Sequence, residues 1–230
     1  MGQKVSPTLL RLGYIENWRS VWFADKNIYR KNLIEDYKIR VYIGKKFVQA
    51  AVSRVIIERL GDKIKIIIYT ARPGVIIGRR GADIDRLRTD LSKITDKEIA
   101  VEPREIKNPS IDAQLIAQNI SYQLEKRIAF RRAMKRAIDQ AMNSGAKGIK
   151  IKSSGRLNGA EMARSEGYKV GKLPLQTFRA EIDYGRYDAL TTYGIIGTKV
   201  WVYKGEIIKK INRLATQPIE NKVIDIKEPK

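Results

Sequence analysis

Between residues 75 and 87 the chain reads VIIGRRGADIDRL, with two arginines held between two glycines. This corner constrains the fold more than any other stretch. Pro73 suits the first turn of a short helix before it, and Ile84, Leu87, Leu91 and Ile94 line one face of a helix after it. Glycine reaches backbone conformations closed to other residues and lets a second backbone approach closely. The start of the following helix presents free N–H groups and a positive dipole end, and the two arginines add charge that reaches phosphates. A corner built from Gly78, Arg79, Arg80 and Gly81 can therefore clamp a few nucleotides of a single strand. A plain helix–turn–helix corner accounts for the glycines too. Asp83 and Asp85 suit the helix dipole but repel phosphate.

Charge weighs on the nucleic-acid side. Forty-six Lys and Arg stand against 25 Asp and Glu, a net charge of +21. A polyanionic partner offsets that self-repulsion, and nucleic acid is the commonest one, with anionic membrane the alternative. No apolar run reaches the ~18 residues of a membrane span. The chain has no Cys and no His, which excludes disulfides, Cys/His zinc sites, thiol nucleophiles and His-based triads. It also lacks a GxxxxGK[ST] phosphate loop. No cofactor, metal, catalytic residue or small-molecule substrate is expected.

Along the chain, residues 1–27 mix Lys4, Arg11 and Arg19 with Tyr14, Trp18, Trp22 and Phe23 and show little periodicity. They predict an irregular arm, either docked on RNA by charge and stacking or folded over its own core with Trp18 and Trp22 as anchors. Tyr29, Leu33, Tyr37 and Val41 predict an amphipathic helix over 27–47. AVSRVIIER and KIKIIIYT, separated by LGD at 60–62, predict a β-hairpin. EIAVEPREI at 98–106 predicts a strand that Pro103 places at an edge or a bulge. In KNPSID at 107–112, Asn108 can cap and Pro109 can open a helix. Ile116, Ile120 and Leu124 continue that helix, and Phe130, Met134, Ala137, Ile138, Ala141 and Met142 mark another that stops at Gly145. KGIKIKSSG, FRAEIDYG and TKVWVYKG predict an antiparallel sheet against these two helices. Between the first two of these strands lies a long segment, 155–175, with Arg156, Arg164, Lys169 and Lys172. Residues 207–230 predict a frayed or partner-dependent tail.

The order helix, strand, strand, short helix, GxxG, helix, strand resembles the prokaryotic KH domain over about residues 28–107. The resemblance extends further. MGQKV at the start, ARPGVIIGRRG at 71–81, FRRAMKRAI at 130–138, GAKGIKIKSSGRLNGAEMAR at 145–164, LPLQTFRAEIDYG at 173–185 and TTYGIIGTKVWVYKGE at 191–206 are similar to the bacterial and organellar branch of the third small-subunit ribosomal protein family. The resemblance implies an α+β chain: an N-terminal arm (1–27), a type II KH domain (28–107), a C-terminal domain with two helices on an antiparallel sheet (108–206) and a tail (207–230). It implies a structural, non-enzymatic place in the head of the small subunit, near where mRNA enters. The implied partners are small-subunit rRNA, mRNA and the neighbouring tenth and fourteenth proteins, on a cytoplasmic or organellar ribosome.

EKRIAFRRAMKR carries Lys126, Arg127, Arg131, Arg132, Lys135 and Arg136 with no acid after Glu125. Positions 131 and 135, and 132 and 136, lie one helical turn apart, which gives one cationic strip. A solvated helix face is the plain alternative. The resemblance implies that Arg131, Arg132 and Lys135 line the mRNA path and help open structured message, through phosphates and without sequence reading. It implies rRNA contacts by Arg156 and Arg164, either of which could instead pair with Glu161 or Glu166, and by Gln3, Lys4 and Arg11 in the arm. The chain departs from the family at Ser6, usually His or Asn, at Gly167, usually Trp, and at Gln176, usually His. The last two put packing or a partner contact around 165–178 in doubt.

Overall fold

The computed structural model describes residues 4–95 and 97–207. Gln3 and the tail beyond Ile207, both singled out by the sequence, lie outside them. The described residues form two four-stranded sheets, one with strands in the spatial order 20–21, 52–60, 63–70 and 98–105, the other in the order 164–171, 148–155, 194–206 and 180–191.

The first sheet grows from the hairpin β2 (Val52–Leu60) and β3 (Lys63–Thr70), paired antiparallel. β4 (Glu98–Glu105) joins β3 in parallel as an edge strand, where the missing N–H of Pro103 is tolerated. Three helices, α2 (Lys26–Lys46), α3 (Pro73–Ile77) and α4 (Ala82–Ser92), accompany the sheet. Ile39, Ile43, Ile57, Ile64, Ile66, Ile68, Ile76, Leu87, Leu91 and Val101 share one buried core.

The arm is less irregular than its sequence. It forms a short helix, α1 (Pro7–Leu10), and a two-residue strand, β1 (Ser20–Val21), which adds to the first sheet parallel to β2. Of the two tryptophans expected as anchors, only Trp22 serves, its indole N–H donating to Asp36 at 2.8 Å. Trp18 is 63% exposed.

α2 turns the opposite way from the expected one. Tyr29, Leu33 and Tyr37 face outward, and the buried positions are Asn32, Asp36, Ile39 and Ile43. The polar half of that face is held by Arg59, which donates to Asp36 at 2.6 and 3.0 Å, to Glu35 at 2.9 Å and to the side chain and carbonyl of Asn32 at 3.2 Å. A buried cation so fully paired outweighs an apolar stripe in fixing the helix orientation.

The second sheet is antiparallel throughout: β5 (Gly148–Gly155), β6 (Arg164–Gly171), β7 (Ala180–Thr191) and β8 (Gly194–Glu206). β6 lies within the long segment 155–175, where the sequence reading places no strand. α5 (Ala113–Glu125) and α6 (Phe130–Asn143) cover one face, burying Ile116, Ile120, Phe130, Met134 and Ile138 against Ile149, Ile151, Val200 and Val202. The start of α5 differs from expectation. Pro109 opens only a single 3-10 turn, Pro109–Ile111, and the helix cap is Asp112, whose carboxylate accepts from the N–H groups of Gln114 and Leu115 at 3.1 Å. Gly185 lets β7 pass the first turn of α5, where a Cβ would strike the Ala113 backbone. None of the helices among the described residues is long and apolar enough to cross a membrane.

Candidate nucleic-acid interface

The GxxG corner joins α3 to α4. Gly78 has φ +72° and Gly81 φ +83°, both in the region open to glycine and strained for other residues. Arg80, between them, is also left-handed at φ +54°. The tight turn throws Arg79 and Arg80 outward, and both are exposed with no ion pair among the described residues. A Cβ at Gly78 would collide with the Asp83 carboxylate, so that acid packs against the floor of the corner. The acids of the first α4 turn are partly neutralised within the helix: Asp85 pairs with Arg88 at 3.0 Å and Asp83 with Arg86 at 3.7 Å. The corner therefore sets two exposed guanidinium groups beside the positive end of an 11-residue helix, with the Asp83 carboxylate beneath them.

A second cationic surface lies on α6. Phe130, Ala133, Met134, Ala137, Ile138 and Ala141 are buried, whereas Arg131, Arg132, Lys135 and Arg136 are exposed. A helix with one face this apolar has no rotational freedom, so the four cations are fixed on the outward side. Arg132, Lys135 and Arg136 have no ion pair among the described residues. Arg131 is different. Glu166 of β6 accepts from it at 3.3 and 3.4 Å and forms an ion pair with Arg164 at 3.2 Å. Both guanidinium groups also lie over the Phe130 ring, at 5.6 and 5.9 Å. The hydrogen bond to Glu166 raises the Arg131 pKa further, so its charge is permanent.

The structure thus joins Arg131 and Arg164 into one cluster, which the sequence holds 33 positions apart. Glu166 is the organising residue that the sequence offered only as one of two partners for Arg156 or Arg164. Without β6 as a strand, nothing in the pattern could place it beside α6.

The remaining sites separate. Lys4 is exposed. Arg156 is half-buried, donating to the Ala160 carbonyl at 2.9 Å and lying 5.7 Å from the Tyr193 ring centre, so it organises the loop after β5. Arg11 must be withdrawn from the RNA-contacting set. It is 0% exposed, and its guanidinium donates to the carbonyls of Ala180 (2.6 Å), Pro7 (2.9 Å), Thr177 (2.9 Å) and Leu175 (3.0 Å). It pins the arm to the C-terminal domain, and its burial closes it to a phosphate.

Comparison with known proteins places both surfaces in a family context. Residues 38–111 match the KH domain family, and residues 120–202 match the family described as ribosomal protein S3, C-terminal domain. The chain is 55% identical over 213 residues to the small ribosomal subunit protein uS3 of Carboxydothermus hydrogenoformans, covering 93% of this chain and 96% of that protein. It is 50% identical over 228 residues to the same-named protein of Buchnera aphidicola subsp. Cinara cedri, covering 99% and 97%. With that of Magnetococcus marinus it shares 54% identity over 210 residues, covering 91% and 100%.

Proposed function

Because this chain belongs to the uS3 family of small ribosomal subunit proteins, we propose that it is a structural, RNA-binding constituent of the small subunit whose α6 strip guides mRNA where message enters. It is not an enzyme. It binds small-subunit rRNA and packs against neighbouring ribosomal proteins, and we assign the tenth and fourteenth proteins to that role. The α-β-β-α-α-β order from α2 to β4 supports a type II KH domain carrying the GxxG corner, with Gly78, Arg79, Arg80 and Gly81 as its RNA-facing residues.

The observation that carries the reading is the α6 strip. Arg131, Arg132, Lys135 and Arg136 are exposed on a helix whose other face is locked in a core. They read no bases: long cations on a rigid rod contact phosphates and hold a strand in register. Phosphates that reach the cluster of Arg131 and Arg164 compete with Glu166 for the guanidinium groups. A free-standing KH regulator would account for the corner but not for the family match over residues 120–202.

The test is a subunit carrying R131A, R132A and K135A together. The variant chain is expected to stay with the small subunit through a high-salt sucrose gradient, while translation of messages with stable hairpins slows several-fold relative to unstructured ones. Wild-type chain left at the top of the gradient would refute the ribosomal reading. Unchanged rates on hairpin messages would refute the role of the strip.

A further inference from the structure

α5 and α6 cover only one face of the β5–β8 sheet. On the opposite face the strand register sets side chains in rows across all four strands. One row runs Lys169, Lys150, Trp201, Tyr184, and the next runs Gly167, Lys152, Lys199, Arg186. Strands in a sheet are ~4.8 Å apart, so Lys152, Lys199 and Arg186 stand directly side by side on three consecutive strands. Like charges placed opposite one another destabilise a sheet. Lys150, Lys152, Lys169 and Lys199 have no ion pair among the described residues, and the one acid on these rows and the next, Asp188, is taken by Arg186 at 3.2 Å.

We propose that this open part of the outer face is a second RNA-docking surface, which seats structured small-subunit rRNA through its phosphates. The proposal rests on the ribosomal reading above and adds to it a face that the GxxG corner and the α6 strip do not include. Three observations support it. The face is bounded: Leu173 and Leu175 pack over Ala180, Ile182 and Tyr203 at its other end, so a defined patch is left open. Its aromatics are closed to splayed bases. Trp201 is half-buried, with Lys150 5.4 Å from its ring centre and Tyr184 against it at 5.4 Å. That arrangement favours backbone contacts to a folded RNA over stacking on a single strand. Finally, α6 packs on the other face of the same sheet, so this patch and the message strip lie on opposite sides of one domain. One side holds the domain to rRNA while the other holds message. Gly167 ends its row without a side chain, leaving Lys152 unobstructed.

The test is filter binding of the full chain to a transcript of the 3′ part of small-subunit rRNA over a range of salt. The variant is K152A/K169A/K199A. The expected result is affinity at least about tenfold lower, with the slope of log affinity against log salt reduced by about 2 to 3, since each duplex phosphate contact contributes about 0.9. Its melting temperature is expected to hold or rise, because repulsion has been removed. K152R/K169R/K199R is expected to bind as wild type. Unchanged affinity and slope in the alanine variant overturn the proposal. If rRNA binding is unchanged and the variant nevertheless falls off the subunit in the gradient, an acidic protein occupies the face and the RNA assignment is wrong. Loss of affinity for unstructured RNA alone assigns the face to message and also overturns it. A wild-type chain that binds no rRNA refutes the ribosomal reading itself.

Discussion

Arg11 shows how far a residue's type falls short of its role. In the sequence it is one more cation in a basic arm. In the fold it is a buried clamp that satisfies carbonyls from Pro7 to Ala180. Burial lowers its pKa, opposed by the nearby charge of Glu16, and no carboxylate bonds it directly. Each hydrogen bond from a charged donor contributes about 1.5–3 kcal/mol, and carbonyls left unpaired add cost. Arg11→Ala is therefore expected to destabilise the chain by about 3 kcal/mol, lowering the melting temperature by roughly 6–12 °C. Arg11→Lys is expected to rescue little, since an ammonium cannot fork to carbonyls on several sides. The salt slope of RNA binding by the folded variant should match wild type. A reduced slope with an unchanged melting temperature would restore Arg11 to the RNA-contacting set. Arg59 makes the same point: its partners on α2, Asn32, Glu35 and Asp36, are ordinary surface residues by composition.

At the scale of elements, periodicity was legible where a face is wholly apolar. α5 and α6 follow from their spacing because Ile116, Ile120, Phe130, Met134 and Ile138 all point into one core. α2 misled because its apolar stripe is exposed and a polar network is buried. β6 was invisible because its pattern of Arg164, Glu166, Tyr168 and Val170 buries almost nothing: it is an edge strand, defined by hydrogen bonds to β5. The GxxG corner was the most legible site, since its chemistry is local and both glycines take the backbone shapes that only glycine tolerates well. Its function can be tested without disturbing that shape. R79D/R80D keeps both glycines and is expected to weaken binding of single-stranded RNA about tenfold or more, with the salt slope lower by about 1 to 2. The melting temperature should stay within a few degrees, because both side chains are exposed. Unchanged binding in a folded double variant would reduce the corner to a plain turn.

At the scale of the whole molecule, arm, first sheet and C-terminal domain meet around a group of carboxylates. Asp112 caps α5 and accepts from the Ser53 hydroxyl of β2 at 2.6 Å. Asp183 accepts from the Ala113 N–H at 3.0 Å and faces Lys204 at 3.5 Å. Burial, then the charge of Asp183, raises the pKa of Asp112, and the same two causes in the same order raise Glu16. A carboxyl raised in the folded state binds more protons there than in the unfolded chain. Its contribution to stability is therefore full below the ordinary carboxylate value and is lost as pH rises through the raised one. Elsewhere Asp90, bonded to Lys46 and Tyr42, and Glu102, bonded to Arg104 and Lys65, are lowered and contribute the opposite sign. The raw stability curve therefore mixes both. The difference between Asp112→Asn and wild type isolates the junction. Asparagine caps helices as well as aspartate does and does not titrate, so the variant should gain stability relative to wild type as pH climbs above the ordinary carboxylate value and through the raised one, reaching a plateau once Asp112 is ionised. Denaturant unfolding at a series of pH values measures this. A flat difference would show that Asp112 is not strained when charged. A falling one would show that the Ser53 bond and the α5 dipole outweigh burial, making the junction stronger when Asp112 is ionised.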